Sequence, residues 1–343
     1  VKYNGINSKV YTHDVKDSGS ISNNWINALY ADSAGRLWIA SEGGIHLYVP
    51  ESDSFINFNQ SQEHENLKRR SYLAIAEDND GNLWFASKNS GLTKYDVSNA
   101  EFVAFNSENS YLSSNYLIDI KFDGDGRLWV ATRNSHLNIY DPVTNDFHQA
   151  DYKELEDKSL TVLALFVDKS NRLWIGTEAN GLLRYDVGNT KLVKSYKYDR
   201  LDASSICDNS INAITQDSSD RIWIASTNGL CMYNEASDRF VRHTKNLNRT
   251  KSLINNRVLT IAEDRGGVIW VGTQNGISYW NASLNYFNHI TQQSEYGQLS
   301  SSSIMSFAAS EDKIYVGTWE GGLNIIDQQD LSIRVERAAS GSK

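Results

Sequence analysis

The chain of 343 residues sets 42 Asp and Glu against 33 Lys and Arg, a formal net charge of -9, which leaves no general electrostatic attraction for nucleic acid or anionic lipid. Only 2 prolines and 22% charged residues exclude a long low-complexity linker, and no apolar run reaches the roughly 18 residues of a membrane-spanning helix. Cys207 and Cys231 are too few and too irregular for a disulfide framework or a zinc site and are expected to be ordinary small buried residues.

In chain order, the first extended segment is "SKVYTH", Ser8 to His13, preceded by "VKYNG". No secretory signal is read at the start, and Val1 is not expected to be a native beginning. The next strands are "WINALY" (A, from Trp25), "RLWIAS" (B, to Ser41), "GIHLYV" (C, from Gly44) and "SFINFN" (D, from Ser54), rich in β-branched and aromatic residues and separated by turn chemistry.

The set then recurs. "DSAGRLWIAS" is followed by "DNDGNLWFAS", "DGDGRLWVAT", "DKSNRLWIGT", "DSSDRIWIAS" and "DRGGVIWVGT", and "SEDKIYVGT" closes the series. The aromatics Trp38, Trp84, Trp129, Trp174, Trp223, Trp270 and Tyr315 stand 45 to 49 residues apart, a period that marks a repeat architecture. Four antiparallel strands per period of this size predict an all-β, seven-bladed β-propeller. The blades are expected near 14–60, 61–107, 108–150, 151–197, 198–245, 246–291 and 292–337, as one domain over 1–337 with a loose tail at 338–343. Residues 1–13 are expected to clasp the last blade, since closure removes an exposed edge, or to remain from a preceding blade.

Each shared letter has a structural reading. Asp32, Asp78, Asp123, Asp168, Asp217 and Asp264 cap the A-to-B turn, and Gly35, Gly81, Gly126, Asn171, Asp220 and Gly267 tolerate positive φ within it. The aromatic fills the wedge between blades; the Ala or Gly two residues later suits a tightly packed inner strand, and the following Ser or Thr satisfies backbone groups of the B-to-C turn. "DNDGN" and "DGDGR" are therefore turns and not calcium loops, because the bidentate carboxylate of an EF-hand is missing. Function is expected where the units differ.

The repeated unit resembles the two-component regulator propeller family, whose form "SxSxNxVxxLxxDxxGxLWIGTxxGGLxxYDxxxxxFxxY" is met by "SISNNWINALYADSAGRLWIASEGGIHLYVPESDSFINF", "YLSSNYLIDIKFDGDGRLWVATRNSHLNIYDPVTNDFHQ" and "KSLINNRVLTIAEDRGGVIWVGTQNGISYWNASLNYFNH". The likeness covers about residues 1 to 337; the fourth unit, shortened to "KSLTVLAL", and the seventh, without Asp or Trp, depart from it. Members commonly carry two propellers, an immunoglobulin-like domain, a membrane span and a cytoplasmic output module, and their ligands tend to be oligosaccharides or other nutrients. The resemblance implies a periplasmic sensor portion of a bacterial receptor, with a homodimer through that receptor as a further partner.

In a propeller the D-to-A and B-to-C connections share one face, where loops vary on a rigid scaffold. The residues opening strand A are Trp25, Ser71, Tyr116, Thr161, Ser210, Arg257 and Ser303; the B-to-C turns carry Glu42, Lys88, Asn89, Arg133, Asn134, Glu178, Asn180, Asn228, Gln274, Asn275, Trp319 and Glu320. Aromatic platforms beside planar amides and guanidinium groups suit sugar rings with vicinal hydroxyls. The ligand-binding set is accordingly Trp25, Arg70, Tyr116, Arg133, Glu178, Arg257, Trp319 and Glu320, with a packing role at the closing junction the alternative for Trp25 and Trp319. Arg69 and Arg70 with Arg133 and Arg257 would add local positive potential, or simply form a solvated face.

A lyase or glycosidase, including a streptogramin-inactivating lyase, is the rival reading, and a protein-interaction propeller is the third. Catalysis requires a converging acid and base. His13, His148, His243 and His289 are expected on or beside solvated outer strands, and only His46, His64 and His136 approach the working face, His136 with Glu178 being the pair to test. No cofactor, metal or catalytic residue is assigned.

Overall fold

Short segments of alternating β-branched and aromatic residues, punctuated by Asp, Gly and Asn, pair with their sequence neighbours because connections of two to five residues favour antiparallel hairpins. The structure, a computed structural model, describes residues 11–58, 67, 70–133, 137–150, 160–188, 191–249, 251–281, 286–292, 298–310, 313–328, 331 and 333–334. The fold is all-β, a seven-bladed β-propeller whose blades are sheets of four antiparallel strands in the order A, B, C, D. The first sheet is Ile26–Ala31, Leu37–Ser41, Gly44–Val49 and Ser54–Asn57; the last is Ile304–Ala309, Lys313–Thr318, Gly322–Asp327 and Ile333–Arg334.

Two compact units are present, one of Val1–Tyr72, Asn248–Asn255 and Ala262–Lys343, the other of Leu73–Leu247 and Asn256–Ile261. In the first, blade 7 packs against blade 1 through a core that includes Ile21, Ile26, Ile39, Phe55, Tyr315, Leu323 and Ile325. Strand C of blade 7 takes partners from both ends of the sequence: Tyr11 bridges Leu323 antiparallel, while Ile333 and Arg334 pair with Ile326 and Ile325. Residues 1–10 and the tail at 338–343 lie outside the described residues. In the second unit the tryptophans sit in the wedge between blades, Trp84 meeting Tyr140 at 5.0 Å between ring centroids and Trp174 meeting Tyr233 at 5.1 Å.

The small residue after each aromatic has a direct steric cause. A Cβ on Gly176 would lie 2.7 Å from Ile211 Cγ2, and one on Gly317 would lie 2.9 Å from Ile26 Cγ2. Strand A of the following blade therefore closes on strand B at van der Waals contact, which a larger side chain would prevent.

The aspartates do more than cap a turn. In six blades the carboxylate Oδ2, buried in five and half-buried at Asp78, accepts the indole Nε1–H of the tryptophan six residues on, at 2.7–2.8 Å. Oδ1 accepts the backbone N–H four residues on, at 2.8–3.0 Å, and in four blades an arginine Nε adds a third donor at 2.6–2.9 Å. The charge is thus buried with its acceptors filled, the condition under which burial is tolerated. The turn residues Gly35, Gly81, Gly126, Asn171, Asp220 and Gly267 all take positive φ, between 57° and 81°.

One expectation is corrected. Cys207 and Cys231 are not independent thiols but a disulfide, with Cα atoms 5.9 Å apart. Two cysteines 24 residues apart give no framework signal; what joins them is the fold, which lays the segment before strand A over strand C (Gly229–Asn234) of the same blade.

Candidate functional site

Which face carries the unshared residues follows from one repeated backbone bond. The first residue after strand B donates its N–H to the carbonyl of the residue opening strand A: Glu42 to Trp25 at 3.1 Å, Arg133 to Tyr116 at 3.1 Å, Glu178 to Thr161 at 2.9 Å, Thr227 to Ser210 at 3.2 Å and Trp319 to Ser303 at 3.0 Å. In these five blades the segment entering strand A and the B-to-C connection therefore meet at one end of the blade.

In the first unit this end brings Trp25 and Trp319 together, ring centroids 4.6 Å apart and planes inclined by 31°. Such a pair buries aromatic area on both partners, yet Trp319 stays 44% exposed, so the packing role leaves a free aromatic surface. Beside it a cleft of about 340 Å³ is lined by His13, Asn23, Asn24, Trp25 and Glu320, at the small end of ligand-site volumes. Its walls are held from within: Asn24 Oδ1 accepts His13 N–H at 2.7 Å, Asn23 Oδ1 accepts Trp25 N–H at 2.8 Å, and His13 Nδ1 lies 3.0 Å from the Ile21 carbonyl. Glu320 adopts φ of 58° at the turn and is exposed. Arg70, half-buried, immediately precedes the opening residue of blade 2.

In the second unit the same end of blade 3 places the Arg133 guanidinium carbon 4.8 Å from the Tyr116 ring centroid, a cation–π pair worth about 0.5–1 kcal/mol where exposed. Glu178 and Arg257 are exposed at the corresponding positions of blades 4 and 6. The eight expected residues thus include two direct pairings, Trp25 with Trp319 and Tyr116 with Arg133, and one shared cleft, Trp25 with Glu320.

The histidines differ from expectation only in part. His46 is fully buried, its Nε2 2.8 Å from Ser41 Oγ and its Nδ1 2.5 Å from Asn57 Oδ1, and burial lowers its pKa to about 4. It is a neutral structural histidine that does not reach the working face. His13 and His148 are exposed as expected, His13 on the wall of the cleft, whereas His243 and His289 are half-buried: His289 Nε2 lies 2.7 Å from the Ser252 carbonyl, and burial lowers the pKa of His243. His64, His136, Asn134 and Arg69 lie outside the described residues.

Sequence reasoning missed Asn23, Asn24 and His13 as cleft residues. Their signal was hidden by repetition, because the asparagine before the opening residue is structural in four blades: Asn24, Asn115, Asn209 and Asn256 each give a backbone carbonyl to a strand-C glycine, Gly322, Gly91, Gly181 and Gly229.

A propeller with its variable residues gathered at the A-opening, B-to-C end is a binding scaffold in form. Six segments, 20–43, 66–89, 111–134, 157–179, 205–228 and 252–275, match the two component regulator propeller family, and the chain belongs to that repeat family. The curated "Histidine kinase P4" of Formosa agariphila is 35% identical over 75 residues, which is 21% of this chain and 6% of that protein. The extracellular domain of a putative hybrid two component system from B. thetaiotaomicron superposes with a TM-score of 0.73 at 20% identity, over 92% of this chain and 41% of that one. Virginiamycin B lyase from Staphylococcus aureus superposes with a TM-score of 0.67 at 12% identity, over 88% and 94%. The chain therefore spans a small part of the kinase and under half of the solved extracellular domain, and at these identities the structural likenesses show the fold alone.

Proposed function

We propose that the chain is a ligand-sensing, extracytoplasmic propeller of a bacterial signal-transduction receptor, and that it binds a small polar ligand, an oligosaccharide, without turning it over. The observation that carries the reading is the Trp25–Trp319 pair, a partly exposed aromatic surface next to a cleft walled by Asn23, Asn24, His13 and Glu320. Sugar rings stack an apolar face on such a surface and hydrogen-bond their hydroxyls to amides and carboxylates. Tyr116 with Arg133, and Arg70, Glu178 and Arg257, supply further contacts from their own blades.

Membership of the two component regulator propeller family supports the sensor role. The Cys207–Cys231 disulfide supports an oxidising compartment such as the periplasm. Occupancy would act on an output module through different affinities for two receptor arrangements, a linkage that needs no catalytic step.

Calorimetry of the chain against neutral and acidic oligosaccharides tests this. Saturable binding with the sugar recovered intact is the expected result. Product formation would assign an enzyme, and no binding to any member would leave a protein-interaction surface as the better reading.

A further inference from the structure

The loops that carry the candidate site bury little at their tips. Val15, in the loop before strand A of blade 1, is 88% exposed, and Leu201 and Leu247, in the corresponding loops of blades 5 and 6, are 96% and 89% exposed. Apolar burial at the tip therefore cannot place these loops, so their placement must come from their bases.

At the base one register position recurs. On strand C, the residue paired with the one following the blade's aromatic is His46, Asn138, Cys231, Ser278 or Asn324 in blades 1, 3, 5, 6 and 7. All five are 0% exposed. Each reaches the residue three positions before the opening of strand A in its own blade. His46 Nε2 lies 3.4 Å from Ser22 Oγ. Asn138 Nδ2 donates to Ser113 Oγ at 2.8 Å and its Oδ1 accepts Ser113 N–H at 3.1 Å. Asn324 makes the same two bonds with Ser300, at 2.7 and 2.8 Å. Ser278 Oγ accepts Ile254 N–H at 3.1 Å, and Cys231 is bonded covalently to Cys207.

A second rung lies on strand D. Asn57, Arg242 and His289 are the strand-D partners of His46, Cys231 and Ser278. Each contacts the carbonyl five positions before the opening residue: Asn57 Nδ2 to Ser20 at 2.8 Å, Arg242 Nε to Ser205 at 2.8 Å, and His289 Nε2 to Ser252 at 2.7 Å. Three unrelated side chains at one register, aimed at one loop position, are not accounted for by turn chemistry within the loop.

We propose that in blades 1, 3, 5, 6 and 7 the buried strand-C side chain is the positioning residue for the D-to-A loop of its own blade, and that the disulfide, the Asn–Ser pairs, the serine and the histidine contact are interchangeable solutions to that task. Blade 5 thereby makes its loop placement dependent on oxidation, while blades 3 and 7 do not. The consequence for ligand affinity rests on the sensor reading above; the placement of the loops does not.

Hydrogen–deuterium exchange tests it with three variants and the reduced wild type. C207S/C231N installs the Ser–Asn pair of blades 3 and 7 and is expected to keep blade-5 loop amides within about threefold of their oxidised exchange rates, whereas C207A/C231A and dithiothreitol each accelerate them roughly tenfold or more, leaving the blade-3 and blade-7 loops unchanged. S113C/N138C is expected to lose its thiol reactivity on oxidation, because the two positions hold the same register as Cys207 and Cys231 and their side chains already meet at 2.8 Å. The proposal is overturned if the Ser–Asn pair exchanges as fast as the Ala pair, or if reduction of the folded wild type leaves the blade-5 loop unchanged. It is equally overturned if the introduced thiols stay reactive in the folded protein. None of these readouts involves a ligand, so failure to bind oligosaccharide would remove the sensor reading and leave this result standing.

Discussion

Asp217→Asn separates two accounts of the repeated aspartate. As a turn cap alone, Asn replaces Asp at little cost, since both side chains accept backbone N–H bonds in turns. The structure gives a different answer, because Asp217 Oδ2 receives Trp223 Nε1–H at 2.7 Å and Arg221 Nε–H at 2.6 Å while Oδ1 holds the amides of Ser219 and Arg221 at 3.0 and 2.9 Å. An amide that keeps its oxygen on the turn must face its NH2 toward two donors. Losing two bonds to a charged acceptor, each worth about 1.5–3 kcal/mol, is partly offset because Arg221, with 27% of its side chain exposed, can turn to water. The net loss is about 3 kcal/mol. For 343 residues at roughly 2.1 cal/mol/K per residue, that lowers Tm by about 4 °C if the chain unfolds cooperatively. Urea unfolding measures the loss directly. Trp223→Phe, which removes one donor and leaves the carboxylate with three, is expected to cost less. An Asp217→Asn variant within about 0.5 kcal/mol of wild type would refute the buried-acceptor account.

Trp319→Ala is expected to weaken oligosaccharide binding at least about tenfold, read by calorimetry, with little change in Tm, because nearly half of this side chain is already in water; a large fall in Tm would make it a packing residue. His46, with its pKa lowered to about 4 by burial, binds its proton less readily folded than unfolded. Its contribution is complete above the unfolded value near 6.5 and is lost as pH falls toward 4, by up to roughly 3 kcal/mol. His46→Asn, which borrows the residue of blades 3 and 7, should flatten the unfolding free energy across that window. Gly176→Ala is expected to cost about 1–2 kcal/mol by overpacking against Ile211, and adding Ile211→Val should recover part of it in denaturant unfolding.

Legibility in the sequence followed the kind of interaction. The number of blades, the strand order and the positive-φ turns were readable, because short-range turn chemistry and period-2 strands leave local marks at a fixed interval. Asp217 and its equivalents were readable as turn residues but not as indole acceptors, since the bond to Trp223 depends on how the hairpin folds the carboxylate under strand B. The disulfide was invisible because Cys207 and Cys231 meet only through the loop's return over strand C. At the site, Trp25 and Trp319 stood out as tryptophans outside the repeated series, and the junction of blades 7 and 1 brought them together. Asn23, Asn24 and His13 did not stand out, because a structural asparagine in other blades masks them and His13 lies in a segment that reads as an outer strand.

On the proposed sensor reading, shared letters build the blades while unshared ones at the strand-A openings and B-to-C turns hold the ligand. Exchange footprinting in the presence of a bound oligosaccharide measures this most directly. Protection of amides around Asn23–Trp25 and Thr318–Gly322, with the A-to-B turns such as Asp32–Gly35 unchanged, is the expected pattern. Protection confined to the A-to-B turns would contradict the account.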